Sequence, residues 1–404
     1  MSIITIQKSN LCGKYTAPPS KSYAHRVLIC SALSRKKVKI KNIVLSDDIK
    51  ATASALIALG CKITFEKSTA FIDAENFAKD INSPVEIDCK DSATTLRLLI
   101  PVCAALGISA KFFGSEQLSE RPLDEYKVLL QNHGVNVEYI GSLPFSISGK
   151  LKGETFFVNG DISSQFVSGL MLSLPLLENE SEIKLLSPLQ SKSYVEITRD
   201  VLSAFSVSTE KTENGYKVKK CDYKATDYTI EGDWSNASFF ITAKALGANI
   251  NINGLNDNSI QGDKKIVEIL EKINNEKTLS VDMSDCPDLV PIVAVYSAFS
   301  GEYVTLTDIN RLKFKESDRI KSTVEMLNSF GTNAVYDDSS ITIYKKPLQS
   351  ANINGYNDHR IVMAASISAL FLDNETTISN YESVKKSYPD FFEVLESLGG
   401  KINV

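Results

Sequence analysis

The chain has 404 residues, more than a single hydrophobic core usually contains, so two domains are expected. Its hydrophobic fraction of 43% and charged fraction of 23% are ordinary for a soluble globular protein. The 44 basic and 49 acidic residues give a net charge of -5, which argues against a general binder of nucleic acid or acidic membranes.

The seven cysteines are scattered, without a CxxC pair or a Cys/His cluster, which favours reduced thiols over a disulfide framework. The three histidines, His25, His133 and His359, are too few and too dispersed to favour a His-built metal site. The first residues lack a signal-peptide layout, and no apolar stretch reaches membrane-spanning length. We therefore expect a cytoplasmic protein without a metal site or a membrane association.

Along the chain, one pattern recurs: a polar cluster followed by an apolar helix rich in small residues. The six copies lie about 70 residues apart, with one step of about 54, and begin at Ser20, Asp91, Ser163, Asp233, Pro287 and Asn357. Strand-like runs flank these helices, and a second helix with a Gly turn and a further strand follows. The pattern predicts an α/β fold of six strand–helix–strand–helix–strand units, three in each of two domains.

The first helix of each unit is apolar almost all round and should be buried in its domain. Its N-terminus carries Ser, Thr, Asp, Lys or Arg, beside unpaired N–H groups and a partial positive charge. Several such ends directed at one cleft would bind anions. Because each Ser or Asp taken alone could be a simple N-cap, the prediction of a site depends on the cations at the same ends.

The first three units carry candidate ligand-binding groups. Lys21 lies in a first helical turn, where the helix dipole disfavours a cation, so an anionic ligand and a solvated surface are equally good explanations. His25 beside it is interpreted as a packing or surface residue. Arg97 is interpreted as a buried structural cation paired with a carboxylate, whereas Arg121, before Pro122, should stand at the mouth of the next helix. Uncharged hydrogen-bonding groups, which are either caps or binding groups, follow at Ser163, Ser164, Gln165, Ser191 and Tyr194.

The later repeats carry clusters of charged residues. Asp288 enters an apolar helix, and the run from Lys315 to Arg319 places two cations and two carboxylates within about one turn. Such a run is usually a solvated surface, but Asp288 and Glu316 could also form an acid–base pair. Segments 357–360 and 385–390 contribute further His, Arg and Lys side chains suited to phosphate or carboxylate groups.

Ten segments together resemble the 5-enolpyruvylshikimate-3-phosphate (EPSP) synthases, in the family's order and over nearly the whole chain. They are SKSYAHR, DSATTLR, SERPL, SSQF, SKSY, EGDWSNASFF, CPD, KESDRI, NDHR and KSYPDFFE. The resemblance implies a two-domain inside-out barrel of six units, classed as α/β (α+β). It also implies one domain of residues 14–226 and a discontinuous one of 1–13 plus 227–404, with the active site in the cleft between them.

The family transfers the enolpyruvyl group of phosphoenolpyruvate to the 5-hydroxyl of shikimate 3-phosphate by addition and elimination, without a cofactor. The resemblance also implies a monomer and assigns roles by motif position. The catalytic residues would be Lys21, Asp288 and Glu316. Shikimate 3-phosphate would be bound by Lys21, Ser22, Arg26, Ser163, Ser164, Gln165, Ser191, Tyr194, Asp288 and Lys315. Phosphoenolpyruvate would be bound by Lys21, Ala93, Arg121, Gln165, Arg319, Arg360 and Lys386.

The sequence departs from the family at two positions. Arg311 stands where some members have a substrate-contacting Asn, so that contact is not carried over, and no proton-transfer role is assigned to His359. Ala93 stands where many members have Gly. Its methyl group is expected to crowd the herbicide glyphosate, which reaches further than phosphoenolpyruvate, unless the change is neutral.

Two rival functions use the same scaffold. A sister enzyme acts on UDP-N-acetylglucosamine and usually carries a reactive Cys before its equivalent of Arg121, but the loop FFGSEQLSERP contains no Cys. A non-catalytic sensor of phosphate ligands would gain nothing from the carboxylates of Asp288 and Glu316.

Overall fold

The computed structural model describes residues 2–81 and 83–404, and the chain forms two compact units. We call Pro19–Glu231 the continuous unit, and Met1–Pro18 together with Gly232–Val404 the discontinuous unit. The chain passes from one unit to the other at positions 18/19 and 231/232. Each boundary lies five residues after the one expected, at 13/14 and 226/227.

Helices and strands alternate in both units. The discontinuous unit begins with β1 (Ile3–Gln7) and β2 (Cys12–Thr16). The continuous unit contains α1 (Lys21–Leu33), β3 (Lys37–Lys41), α2 (Asp47–Ala58), β4 (Lys62–Glu66), β5 (Thr69–Asp73), β6 (Val85–Asp88), α3 (Ala93–Leu106), β7 (Ala110–Phe113), α4 (Glu116–Ser119), α5 (Asp124–Asn132), β8 (Val135–Glu138), β9 (Phe145–Gly149), β10 (Thr155–Val158), α6 (Ser164–Ser173), β11 (Ser181–Leu185), α7 (Lys192–Ala204), β12 (Thr209–Thr212), β13 (Gly215–Val218) and β14 (Tyr228–Thr229).

The discontinuous unit resumes after β14. It contains α8 (Trp234–Ala245), β15 (Asn249–Asn253), α9 (Ile266–Glu276), β16 (Thr278–Asp282), α10 (Val290–Ser300), β17 (Tyr303–Thr307), α11 (Arg319–Ser329), β18 (Asn333–Tyr336), β19 (Ile341–Tyr344), β20 (Asn352–Ile353), α12 (His359–Ala369), β21 (Thr376–Ser379), α13 (Phe391–Ser397) and β22 (Lys401–Asn403). Short 3₁₀ turns span Leu174–Leu176, Gly262–Lys265, Pro287–Leu289, Asn310–Phe314 and Tyr381–Lys386.

Among the described residues each unit contains three sheets, and all but the two-stranded β15-β2 sheet have four strands. The continuous unit has the strand orders β14-β3-β5-β4, β6-β7-β9-β8 and β10-β11-β13-β12, each with one parallel pair followed by an antiparallel hairpin. The discontinuous unit has β16-β17-β19-β18, β20-β21-β1-β22 and the two-stranded β15-β2. The predicted α/β fold of six repeated units, three in each domain, is confirmed.

Four of the six repeats contain one more strand than the sequence pattern predicted. The second helix is followed by a hairpin rather than by a single strand, as in β18–β19. There the Asp337 carboxylate accepts hydrogen bonds from the backbone N–H groups of Ser339 and Ser340, at 2.8 and 2.7 Å, which closes the turn. Such Asx turns are local, but the short edge strand they add has little apolar pattern of its own.

The N-terminal strand explains why one unit is discontinuous. β1 pairs antiparallel with both β21 and β22, so the first residues complete the last sheet of the chain. Ile4 and Ile6 point into that unit's core and are fully buried. Each unit has a hydrophobic core of its own.

Five of the six repeated helices begin where the sequence pattern predicted, whereas α10 begins at Val290, after a 3₁₀ turn at Pro287–Leu289. The N-caps of α1, α3, α6, α8 and α12 are Ser20, Ser92, Ser163, Asp233 and Asp358. Every residue of α12 is buried, as expected for a helix that is apolar on all faces. No helix among residues 2–81 and 83–404 is long and apolar enough to span a membrane.

Candidate active site

A buried arginine joins three helices of the continuous unit. Arg26 is 2% exposed, and its Nε donates to Thr198 Oγ1 of α7 at 2.7 Å. Its Nη1 donates to the Ser22 carbonyl at 2.8 Å, and its Nη2 to the Tyr194 carbonyl at 3.1 Å and Ser168 Oγ of α6 at 3.4 Å. Burial lowers the pKa of Arg26 to about 10. The guanidinium therefore fixes the backbone of two predicted ligand-binding residues, Ser22 and Tyr194.

A second arginine joins α3 to α6. Arg97 is buried, as expected, and its Nη1 lies 3.2 Å from Gln165 Oε1 and 3.4 Å from Ser163 Oγ. Its guanidinium lies over the Phe166 ring, 5.0 Å from the centroid. Gln165 Nε2 in turn donates to Thr94 Oγ1 at 2.9 Å. The orientation of Gln165, a predicted ligand for both substrates, is thus set by two residues of α3.

Two of the three serines interpreted as caps or binding groups, Ser163 and Ser191, behave differently. Ser163 accepts from the Gln165 backbone N–H and is a true N-cap. Ser191 makes no capping hydrogen bond and has φ 51° and ψ 46°, in the left-handed region. The Ser191 side chain therefore does not cap α7, and its ligand-binding role stays a prediction.

Lys21 has a partner that the sequence did not reveal. Its Nζ lies 2.9 Å from Asp48 Oδ2, and the two side chains are 17% and 10% exposed. Asp48 lies in the first turn of α2, after the N-cap Ser46, where an acidic residue is unremarkable. The sequence offered only this weak signal. His25, one turn after Lys21, is a packing residue as expected: it is buried, and burial together with the charges of Lys21 and Arg26 lowers its pKa well below the usual value.

Ala93 and Arg121 complete the candidates of this unit. Ala93 is the first residue of α3 and is 5% exposed, so its methyl group lies at a crowded helix end. Arg121 is buried. The expectation that Pro122 occupies the first turn of the next helix is wrong, because α5 begins at Asp124 and Leu123, with φ −127°, is its N-cap. Arg121 therefore lies in the preceding loop rather than at the helix mouth.

Arg319 is the central residue of the candidate site in the discontinuous unit. It is 1% exposed and contacts three carboxylates. Its Nε lies 2.9 Å from Asp358 Oδ2, its Nη1 lies 2.9 Å from Asp288 Oδ1, and its Nη2 contacts Glu316. Burial alone would lower its pKa, but Asp358, Glu316 and Asp288 raise the pKa above the usual value. Within the run from Lys315 to Arg319, the buried Arg319 and the partly buried Lys315 and Glu316 therefore belong to one ion cluster. Asp318 is exposed and caps α11 instead.

Asp288 is surrounded by cations. Lys315 Nζ lies 3.1 Å from Asp288 Oδ1, and Arg360 Nη2 lies 3.7 Å from Asp288 Oδ2. Although burial would raise it, the charges of Lys315, Arg360 and Arg319 hold the pKa of Asp288 well below its usual range. Burial lowers the pKa of Lys315, and the Asp288 charge offsets only part of this. Asp288 is therefore ionised and is a weak base in this state.

Asp358 was part of a recognised segment but had no predicted role. One oxygen, Oδ1, accepts from the Arg360 backbone N–H at 2.9 Å as the cap of α12, and both oxygens accept from Arg319. Glu316, Asp358 and His359 place possible metal-ligand atoms within 4.8 Å of one another. The Arg319 guanidinium already supplies a positive charge to both carboxylates, so the donor set does not fit a metal ion well.

Arg360 and the side-chain amine of Lys386 both lie near the N-terminus of α12. Arg360 is 4% exposed, and its Nη1 donates to the Ser235 carbonyl of α8 at 3.2 Å. Lys386 Nζ donates to the Asn357 carbonyl at 2.8 Å, beside the start of α12. Arg311, which received no role, contacts the Ser284 carbonyl. The N-termini of α8, α11 and α12 thus meet around Asp288 within this unit.

In each unit the contacts of buried arginines therefore join several of the predicted site residues. The cluster of the continuous unit is built on hydroxyls, amides and carbonyls around two arginines. The cluster of the discontinuous unit contains three cations around Asp288 and Glu316. Cations at helix N-termini bind phosphates and carboxylates, and the two carboxylates can exchange protons.

Comparisons with known proteins show the family of this chain. A profile of the family described as EPSP synthase (3-phosphoshikimate 1-carboxyvinyltransferase) matches residues 6–395. The 3-phosphoshikimate 1-carboxyvinyltransferase of Clostridium acetobutylicum is 39% identical over an alignment of 426 positions, and that of Clostridium botulinum is 36% identical over 429; each alignment covers 100% of this chain and 99% of the relative.

Solved structures share the fold. An EPSP synthase from Acinetobacter baumannii has a TM-score of 0.84 at 22% identity, over 100% of both chains. The enolpyruvyl transferase NikO from Streptomyces tendae has a TM-score of 0.79 at 16% identity, over 99% of this chain and 98% of that one.

Proposed function

Because the chain belongs to the EPSP synthase family, we propose that it transfers the enolpyruvyl group of phosphoenolpyruvate to the 5-hydroxyl of shikimate 3-phosphate and releases phosphate. The observation that carries this proposal is the cluster around Arg319, where Asp288 and Glu316 lie among Lys315, Arg319 and Arg360. An anion-binding protein gains nothing from two carboxylates in its site, whereas an acid–base reaction on anionic substrates requires both.

The proposed chemistry is addition followed by elimination. A proton is added to the methylene carbon of phosphoenolpyruvate, and the 5-hydroxyl oxygen forms a bond to the adjacent carbon as it loses its own proton. The tetrahedral intermediate then loses a proton from the methyl carbon and breaks the bond to phosphate. Glu316 exchanges the proton at carbon, Asp288 accepts the hydroxyl proton, and Lys21 assists departure of phosphate.

The low pKa of Asp288 fits this role once ligands bind. In the structure, the charges of Lys315, Arg360 and Arg319 lower the pKa of Asp288. Substrate phosphate and carboxylate groups would share the charge of the same cations, so the pKa of Asp288 would rise toward the value a general base needs. This mechanism links substrate binding to the activation of the base.

For the remaining residues we keep the roles that the family resemblance implied. Shikimate 3-phosphate is assigned to Lys21, Ser22, Arg26, Ser163, Ser164, Gln165, Ser191, Tyr194, Asp288 and Lys315. Phosphoenolpyruvate is assigned to Lys21, Ala93, Arg121, Gln165, Arg319, Arg360 and Lys386. The fixing of the Ser22 and Tyr194 backbone by Arg26 supports the first assignment, and the meeting of Arg319 and Arg360 at Asp288 supports the second.

The rival acceptor is UDP-N-acetylglucosamine. The sister enzyme's reactive cysteine has no counterpart in the loop before Arg121. Cys103, on α3, is fully buried, and burial raises the pKa of its thiol to about 12, so it is not a reactive thiolate. A cytoplasmic location and a monomeric state also remain predictions from the family.

Phosphate release from phosphoenolpyruvate tests the proposal. We expect release with shikimate 3-phosphate as acceptor, and none with UDP-N-acetylglucosamine or without an acceptor. Release only with the sugar nucleotide would assign the sister activity. Binding of phosphoenolpyruvate and shikimate 3-phosphate without any release would support the non-catalytic sensor instead.

A further inference from the structure

A buried carboxylate outside the assigned site residues is linked to Arg360 through hydrogen bonds to one intervening residue, Ser235. Asp263, in the turn Gly262–Lys265, is 4% exposed and accepts a hydrogen bond from Ser235 Oγ through its Oδ2. The carbonyl oxygen of the same Ser235 accepts from Arg360 Nη1 at 3.2 Å. Asp263, Ser235 and Arg360 thus form a chain that leads from the entrance of α9 to the side of Asp288 facing Arg360.

Stability alone does not explain this carboxylate. Asp263 Oδ1 has no hydrogen-bond partner among residues 2–81 and 83–404, and an unsatisfied buried carboxylate oxygen is unfavourable. Burial and the nearby Asp288 charge raise the pKa of Asp263 to about 6, although Arg360 and the Ser235 hydroxyl act in the opposite direction. The other titratable groups that face it are Asp233 at the N-terminus of α8 and Cys286 before α10.

We propose that Asp263 is a positioning residue for phosphoenolpyruvate binding: its negative charge, together with its hydrogen bond to Ser235, keeps the Arg360 guanidinium from pairing fully with Asp288. Arg360 Nη2 is 3.7 Å from Asp288 Oδ2, a looser approach than the 2.9 Å contact that Arg319 makes with the same carboxylate. Without Asp263, Arg360 would move toward Asp288, and an incoming anion would have to break a closer ion pair. The inference rests on the proposed function.

The test measures KM for phosphoenolpyruvate and kcat in wild type, Asp263→Asn and the charge-matched control Asp373→Asn, from pH 5 to pH 8. Asp373 is an exposed acidic residue of the same unit, paired with Lys8. We expect Asp263→Asn to raise KM for phosphoenolpyruvate about five- to tenfold at pH 8, with kcat changed less than about twofold. The control should match wild type.

The ratio of the two KM values separates a charge effect from a purely structural one. Ionisation of the substrate affects both enzymes equally and cancels in the ratio of Asp263→Asn to wild type. Because Asp263 itself becomes protonated as the pH falls through about 6, the ratio should approach one toward pH 5. A ratio that stays constant over this range, or no change in KM at any pH, would overturn the proposal.

Ser235→Ala tests the connection independently, including the case in which Asp263→Asn does not fold. It should raise KM for phosphoenolpyruvate in the same direction. The double variant should show no more than the larger single effect, because both changes interrupt one path. Additive effects would contradict the proposal. If wild type itself releases no phosphate with shikimate 3-phosphate, the proposed function fails first, so the two failures are distinguishable.

Discussion

Arg26, in the second turn of α1, and Arg319, the first residue of α11, are both buried arginines, but their surroundings differ. The hydrogen-bond partners of Arg26 in the described part of the chain are the neutral oxygens of Thr198, Ser168 and two backbone carbonyls. Arg319 instead contacts three carboxylates. The pKa of Arg26 is accordingly lowered, whereas that of Arg319 is raised.

The difference indicates how each cluster meets an anionic ligand. Neutral oxygens orient Arg26 without cancelling its charge, so an arriving phosphate encounters a net cation. The charge of Arg319 is already balanced, so a ligand there exchanges partners with carboxylates and changes their basicity. The continuous unit is thus suited to binding by shape and fixed charge, and the discontinuous unit to binding coupled with proton transfer.

The largest effect should come from a carboxylate of the ionic cluster. Glu316→Gln removes a proton-exchanging group but keeps the side-chain shape, so kcat should fall about 10²- to 10⁴-fold. Phosphate release under saturating substrates measures this, with Glu276→Gln, at the exposed end of α9, as the matched control. A Glu316→Gln enzyme with near wild-type kcat would show that the cluster only binds anions.

The second prediction compares the two arginines directly through the free energy of unfolding. Arg319→Met removes the buried cation that contacts Asp288, Glu316 and Asp358, although Lys315 and Arg360 remain beside Asp288, and should cost about 3–5 kcal/mol. Arg26→Met leaves neutral acceptors unsatisfied and should cost about 1–3 kcal/mol. Denaturant unfolding at pH 7.5 checks the order, and equal costs would remove the distinction between the clusters.

The pH dependence of the same variant should become weaker. In wild type the depressed pKa of Asp288 contributes stability that is present above its ordinary value near 3.8 and is lost as the pH falls through the native pKa. Arg319→Met removes one of the three cations that lower this pKa but leaves Lys315 and Arg360, so the loss of stability in acid should keep its direction and become smaller. Denaturant unfolding between pH 5 and pH 2.5 measures this loss, and a loss as large as that of wild type would contradict the expectation.

A smaller effect is expected for Asp263→Asn, again in the free energy of unfolding. The native pKa of Asp263 is raised from 3.8 to about 6, so ionising it destabilises wild type progressively between about pH 4 and pH 6. Above that range the variant should be more stable by roughly 1–3 kcal/mol. Unfolding at pH 8 and at pH 4.5 measures the gain and its loss. A destabilised variant at pH 8 would mean that the carboxylate mainly supports the fold.

The smallest effect concerns shape in the continuous unit. Ala93→Gly removes one methyl group at the start of α3, so glyphosate inhibition should strengthen about tenfold, while KM for phosphoenolpyruvate changes little. Inhibition by glyphosate is measured for both enzymes, with Ala105→Gly, buried near the end of α3, as a control for the lost helix propensity. If wild type and Ala93→Gly were equally and highly sensitive to glyphosate, the hypothesis that the Ala93 methyl group confers tolerance would be wrong.

Much of the fold could be predicted because its signals are local. The apolar helices with polar N-terminal residues recur along the chain, and Ser163 and Asp233 cap their helices as such residues do. The positions of two candidate cations could be predicted for the same reason, since Lys21 and Arg360 lie in the first turns of α1 and α12. The extra hairpin strands were missed because their short, largely polar edges lack a clear period.

The sequence by itself determined the six-unit α/β architecture, the helix starts and the types of charged residue available for anion chemistry. Only the tertiary structure decided their partners: Asp48 with Lys21, Asp358 with Arg319, and Asp263 with Ser235 beneath Arg360. Arg26 and Thr198 are 172 residues apart, and Arg360 and Ser235 are 125 apart. No local periodicity specifies such pairs, because they arise where separately encoded helices pack, and that packing set the electrostatic character of each cluster.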